Sequence, residues 1–206
     1  VRNTELDFPT FIEKNRNIIL LTKNSDTPET GLSRNDITTL TYGEQALDRV
    51  RVLVSQCIDI LDTEFREIAS ILFPSIYIHW SNKVKFENFD VGQNPIKWVV
   101  ESLSFLNDHA VIIFRKNPSL FIDEALKFGL EISPESTKTR KTSRLMKERE
   151  IVIESESINC EWHFKFHKTE GGRIHFHFGY DVSDKTKVIT SGFPIVGIFA
   201  HHLNIA

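Results

Sequence analysis

The sequence is poor in the residues and runs that usually announce a chemistry. Its 206 residues include two cysteines, Cys57 and Cys160, and neither belongs to a Cys-x-x-Cys pair, which argues against a redox dithiol, a zinc ribbon or a disulfide framework. A reducing, cytoplasmic setting is the expectation that follows. Apolar runs such as 195–200 fall far short of the roughly 20 residues that span a bilayer. The stretch "VRNTELDFPTFIEKN" is charged and lacks a signal-peptide core, so neither export nor a membrane partner is expected. Gly-x-x-x-x-Gly-Lys-Ser/Thr, Gly-x-Gly-x-x-Gly and Gly-x-Ser-x-Gly are all missing, and nucleotide hydrolysis, dinucleotide binding and serine-esterase chemistry lose their motif support. No His-Glu-x-x-His is present either, and no metal ligands or cofactor are assigned.

What is present is ample core material, with 40% hydrophobic residues and sixteen Phe. The net charge of -3 conceals an asymmetry: residues 138–206 carry eleven Lys/Arg against eight Asp/Glu, whereas the rest carry fourteen against twenty. Six of the eight histidines also fall in that last third, whose cationic character grows below about pH 6.5. A polyanion would meet that end first.

Periodicity divides the chain into a helical part over 1–132, a basic connector over 133–150 and an antiparallel sheet over 151–206, an α+β protein that can also be one continuous domain. "NIILLT" at 17–22 reads as a strand, and Thr41 with Glu44 forms a capping box that opens a helix. Apolar residues then recur at steps of three and four from Ala46 to Leu72, with Asp59, Asp62 and Thr63 placed to break the helix and Pro74 to stop it. "IYIHW" at 76–80 reads as a strand, with "KVKF" as a weak hairpin partner. "NPIKWVVESLSF" and "NPSLFIDEALKF" share an Asn cap followed by Pro, a common start grammar for two amphipathic helices, with a duplicated unit as the alternative. "AVIIF" between them fits a buried strand or a helix tail. In "SPESTKTRKTSRLMKERE" Ser133 and Pro134 are able to open a helix, and six basic residues lie between Lys138 and Arg149. A solvated linker or a phosphate-binding surface both suit that composition.

The densest chemistry lies in "EWHFKFHKTEGGRIHFHFGY". Pairing 162–167 with 173–178 around "KTEGG" puts Trp162, Phe164, Phe166, Ile174, Phe176 and Phe178 on one face, which must lie against helices. The other face then sets His163 opposite His177, Lys165 opposite His175 and His167 opposite Arg173. "KVIT" and "FPIVGIFAHHL" supply further strands, with Pro194 at an edge or a strand start.

Three readings fit that face. It can be a solvated surface whose charges oppose edge aggregation. It can contact nucleic acid, with Lys138, Arg140, Lys141, Arg144, Lys147, His167 and His175 neutralising phosphates and Trp162, Tyr180 or Phe193 stacking on bases. Carried further, this becomes metal-independent RNA cleavage: His163 and His177 exchange protons with the 2′-hydroxyl and the leaving oxygen, while Lys165 and Arg173 stabilise the pentacoordinate phosphate. The third reading is a metal-dependent enzyme, for which His163 and His177 would need a third ligand such as His167, His201 or His202, and no carboxylate has the spacing of a facial triad.

The run "WHFKFH…GGRIHFHFG…KVITSGFPIVGIFAHHL" resembles the strand-rich core of RelE-type ribonuclease toxins. It is also similar to the C-termini of small uncharacterised bacterial proteins found with mobile-element or phage-defence genes. The resemblance covers about the last fifty residues and implies RNA cleavage by basic and His/Tyr side chains on a small sheet, or an antiviral role. The resulting expectation is a cytosolic prokaryotic accessory protein acting with nucleic acid, RNA ahead of DNA, or with a larger nucleoprotein assembly. The alternatives are a toxin-like ribonuclease and then a metal-dependent enzyme.

Overall fold

The computed structural model describes residues 44–57, 60–89, 94–167 and 171–205. The Thr41 cap and the strand expected at 17–22 lie outside these residues. The apolar stripe folds as two helices, α1 (Glu44–Ser55) and α2 (Asp62–Leu72), which bury Val50, Val54, Phe65, Ile68, Ala69 and Leu72. Helix α2 opens at Asp62, where the Glu64 carboxylate accepts the Leu61 amide at 3.0 Å, and it ends just before Pro74. Arg51, 4% exposed, locks the pair together: its Nε donates to the Leu72 carbonyl at 2.8 Å and its guanidinium pairs with Asp108.

The two Asn-Pro starts behave alike. Asn94 accepts the Ile96 amide at 2.9 Å to open α3 (Ile96–Phe105), and Asn117 accepts the Ser119 amide at 3.2 Å to open a 3-10 turn (Pro118–Leu120) that runs into α5 (Phe121–Lys127). "AVIIF" is helix: α3 continues through a π turn (Leu106–Ala110) into α4 (Val111–Lys116). That π turn brings Asp108 to Arg51 and lets Asn107 accept the Ser75 amide at 2.7 Å.

Five strands form one sheet in the order β1 (Tyr77–Ile78), β7 (Ile195–Ala200), β6 (Gly171–His177), β5 (Trp162–His167) and β2 (Glu131–Pro134), antiparallel except for the parallel pair β1 and β7. The fold is therefore α+β, with a helical N-terminal part followed by the strands. Phe164, Ile174, Phe176 and Phe178 face the helices and join Leu103, Phe105 and Phe121 in one core, with Trp162 and Phe166 at its margin, as the alternation requires. The opposite face is covered rather than wet. A small hairpin, β3 (Glu150–Ile153) with β4 (Glu156–Asn159), closes a second core of Ile151, Ile153, Ile158, Cys160, Ile195 and Ile198.

The register of β5 on β6 differs by two residues from the expected one. His163 faces His175 rather than His177, Lys165 faces Arg173 rather than His175, and His167 faces Gly171 rather than Arg173. A two-residue slip keeps every side chain on its face, so the alternation cannot detect it. The cause lies in the glycines. Gly171 and Gly172 adopt φ of 76° and 71° inside the strand, not in the loop, and their carbonyls each accept Arg173 Nη1 at 2.8 Å. The His201 ring fills the space that a Cβ on Gly171 would need.

Three shorter expectations are also corrected. "KVKF" forms no strand, and the chain turns there into a 3-10 turn (Phe86–Phe89) that seats Phe89 on Phe199 with ring centroids 4.7 Å apart. "KVIT" belongs to α8 (Asp184–Thr190), opened by Ser183, whose hydroxyl accepts the Thr186 amide at 3.3 Å. Ser133 and Pro134 end edge strand β2, where a proline lacking its amide is tolerated, and the next helix starts from Ser136. No helix among the described residues is long and apolar enough to cross a membrane.

Gly179 tests the packing behind this sheet. It sits at φ 77° with the Phe193 carbonyl where a Cβ would go, whereas Gly192, at φ 65°, has open space. Gly192→Ala is expected to cost about 1 kcal/mol for the left-handed backbone, and Gly179→Ala at least about 2 kcal/mol more because backbone must move. Equal urea midpoints for the two variants would contradict the close approach of the two loops.

Candidate functional site

The covered face of the sheet holds a group of polar side chains whose positions follow from local sequence. Strand β2 keeps pairing one residue past Pro134, because the Glu135 amide donates to the Glu161 carbonyl at 2.9 Å. Ser136 then caps α6 (Thr137–Arg140), its hydroxyl accepting the Thr139 amide at 3.1 Å, and α7 (Ser143–Glu148) follows. This corner fixes Glu135 over β5. At the far end of α7 the chain turns into β3, and Arg149 points back inward. Arg149 is 1% exposed, donates from Nε to Glu135 Oε1 at 2.8 Å and from Nη1 to the Leu145 carbonyl at 3.0 Å.

Beneath this ion pair lie the facing imidazoles of His163 and His175, 9% and 1% exposed, with ring centroids 4.9 Å apart. His163 Nδ1 is 3.6 Å from Glu135 Oε1, and its Nε2 meets the Ser133 hydroxyl at 3.2 Å. His175 Nδ1 is 3.2 Å from the Cys160 carbonyl, which can only accept, so that nitrogen carries the proton and Nε2 carries the lone pair. His163 Nδ1 and His175 Nε2 are buried and make no hydrogen bond of good geometry, although the Glu161 carbonyl lies near enough to the His163 ring to favour its protonated form. Burial, with Arg173 and Lys165 adding to it, pushes His163 down to about 3. Burial likewise holds His175 well below the usual imidazole range. Both rings are neutral at pH 7.

The remaining expected site residues are dispersed. His177 lies farther along β6, its Nε2 3.0 Å from Asp181 and its Nδ1 accepting the Gly179 amide at 3.0 Å. Lys165 pairs with Glu131 at 2.9 Å, and Arg173 is 6% exposed, so neither presents its charge to a solvent-borne phosphate. The backbone of His167 lies at the end of β5, beside Gly171. By contrast Lys138, Arg140, Lys141, Arg144 and Lys147 are all exposed, on α6, α7 and the turn between them. Metal-independent RNA cleavage needs two imidazoles that reach one phosphate and titrate near neutrality. The structure brings His163 to His175 instead of His177 and keeps both partners neutral and covered.

Chemically, the cluster presents one nitrogen from each of His163 and His175 and one carboxylate oxygen of Glu135 within 4.8 Å of one another. Cys160 is not a candidate ligand here, because its fully buried thiol belongs to the second core and burial pushes it up to about 12. Glu135 and Arg149 were not legible as site residues. The available signal was Ile132 alternating with Glu131 and Ser133 before a Pro at a strand end, too short to place a strand. Comparison of the chain with protein-family models, with curated proteins and with solved structures returned no match.

The ion pair and the imidazoles each have a measurable effect on stability. Removing one member of the buried pair strands the other, so Arg149→Met and Glu135→Gln are each expected to cost about 3–5 kcal/mol. The double variant should fall short of the sum by more than about 1 kcal/mol in urea melts, and strict additivity would mean that the pair is not coupled. The imidazoles govern the response to pH. His163 and His175 bind protons in the unfolded chain near pH 6.5 but far lower in the native one, so their contribution is full above about pH 6.5 and lost as pH falls toward 3. Between pH 7 and 5 stability should decline with a limiting slope of about 1.4 kcal/mol per pH unit for each excluded proton. A flat urea midpoint over that range would show that the imidazoles are not held neutral.

Proposed function

We propose that the protein is an accessory binding protein that meets RNA, alone or within a nucleoprotein assembly, through the outer surface of α6 and α7. The observation that carries this reading is the exposure of Lys138, Arg140, Lys141, Arg144 and Lys147 on a segment whose inner side is tied down by Arg149 and Ser136. Cations held on a fixed scaffold lose less freedom on meeting phosphates than cations on a loose tail. Arg140 is partly engaged already, with Nε 3.1 Å from Glu161, which leaves Lys138, Lys141, Arg144 and Lys147 as the stronger phosphate contacts. Binding without cleavage is the favoured mode because the facing imidazoles are covered and neutral. A bacterial cytosol, in a phage-defence or toxin system, is the setting that the C-terminal resemblance implies.

Fluorescence anisotropy of labelled single-stranded RNA and of DNA of matching sequence, over a salt series in chelator, tests the proposal. The logarithm of the affinity should fall against the logarithm of salt by about 0.7 for each phosphate contacted. Replacing Lys138, Lys141, Arg144 and Lys147 by Gln should reduce that slope by about 2 to 3 and weaken binding at least tenfold, whereas Arg140→Gln alone should change it by less than one contact. No binding at low salt, or an unchanged slope in the fourfold variant, would defeat the assignment of this surface. Cut RNA in the same tubes would replace binding by cleavage.

A further inference from the structure

Native proteins leave few buried polar atoms without a partner, and each exception calls for a physical account. Here two of the exceptions, His163 Nδ1 and His175 Nε2, belong to facing rings. The His175 Nε2 lone pair is fixed by the Nδ1 donation to the Cys160 carbonyl. If His163 donates from Nε2 to Ser133, its Nδ1 is a second lone pair, and it lies 3.6 Å from a carboxylate oxygen of Glu135. The His163 Nδ1 lone pair and the carboxylate oxygen repel one another in a region removed from solvent unless a cation lies between them, and the facing His175 ring, its centroid 4.9 Å from that of His163, brings a further nitrogen to the same place. Arg149 answers the carboxylate but neither ring nitrogen.

We propose that Glu135, His163 and His175 bind one divalent first-row transition-metal ion, with Zn2+ the best match to two imidazoles and a carboxylate. The donor chemistry agrees at each position. Metal-bound histidines characteristically give their other ring N–H to a carbonyl or hydroxyl that fixes the tautomer, the part that the Cys160 carbonyl and the Ser133 hydroxyl play here. A tetrahedral ion with bonds of about 2.0–2.1 Å sets its ligand atoms roughly 3.4 Å apart. The His163 Nδ1 to Glu135 separation of 3.6 Å is close to that, and His175 approaches the same oxygen with Nδ1 at 4.0 Å, so bringing its Nε2 to the ion requires side-chain torsions to move as the set, within 4.8 Å, contracts. Arg149 then orients Glu135 from outside the shell, and a water completes the coordination. The ion would join the β2 to α6 corner to the β5–β6 hairpin, independently of whether the outer surface binds RNA.

The test uses the full chain, stripped with chelator and re-equilibrated with Zn2+ or Co2+. About one equivalent of Zn2+ should stay bound after desalting and raise the thermal midpoint, and Co2+ should give the intense visible absorption of a four-coordinate nitrogen and oxygen site. His163→Gln and His175→Gln should each weaken binding by at least about a hundredfold, while His202→Gln, at an exposed position, should not change it. Because the ligand variants can lose stability, circular dichroism at 10 °C accompanies each, and the cobalt spectrum of the unaltered chain stands as a readout that needs no variant. The proposal is overturned by the absence of stoichiometric metal and of a cobalt band in the unaltered chain. It is equally overturned by binding that persists in a folded His163→Gln, His175→Gln double variant.

Discussion

The structure turns on one ion pair, Arg149 with Glu135, withdrawn from solvent at 1% and 6% exposure. A buried guanidinium without its carboxylate costs several kcal/mol, so the two residues must arrive together or the segment between them does not settle. That segment contains α6 and α7, and its two ends are the close of β2 and the opening of β3. The pair therefore closes a fourteen-residue loop into a fixed lid over the sheet. Loop-closure entropy for so short a span is modest, and a single charge-assisted bond with a carbonyl contact to Leu145 can offset it.

Once the lid is down, the chemistry of the strand face inverts. On an open sheet His163 and His175 would titrate near neutrality and add to a cationic surface, which is how their alternation with Phe and Ile reads. Beneath the lid they are neutral, and the neighbouring charges of Lys165 and Arg173 are taken up by Glu131 and by strand carbonyls. The positive charge that still faces solvent has moved outward onto the lid itself. One segment thus separates two environments, a dry one lined with ring nitrogens and a wet one lined with lysine and arginine.

The sequence disclosed faces better than it disclosed neighbours. Period two assigned Trp162, Phe164, Ile174 and Phe176 to the helical side correctly, because inside and outside are written into adjacent residues. It could not fix the register, since a shift by two leaves the pattern unchanged and Gly171 with Gly172 suits a loop as well as a strand. The Asn94 and Asn117 caps were readable because a cap and its helix are local. "KVIT" was not, because its β-branched residues suit a strand, whereas the Ser183 cap and the burial of Thr186 and Thr190 make it a helix. Glu135 escaped for the opposite reason: its partners Arg149, His163 and His175 lie fourteen, twenty-eight and forty residues away, and no periodicity spans such gaps.

The ion pair at the end of the lid also explains why the β3–β4 hairpin that follows it takes one position rather than several. Ile151, Ile153 and Ile158 alone would rest almost equally well on β7 in neighbouring registers, because apolar contact is non-directional. The Arg149 to Glu135 bond is not indifferent in this way. Sliding the hairpin along the sheet would draw Arg149, which ends the helix just before β3, away from Glu135 and leave two unpaired charges inside the protein, at a cost far above that of a few displaced methyl groups. Hydrophobic burial supplies the attraction that brings the hairpin onto the sheet, and the ion pair selects the position in which it stays. The imidazoles beneath are covered by that selection, so their neutrality and their unpaired nitrogens are consequences of where Arg149 ends up.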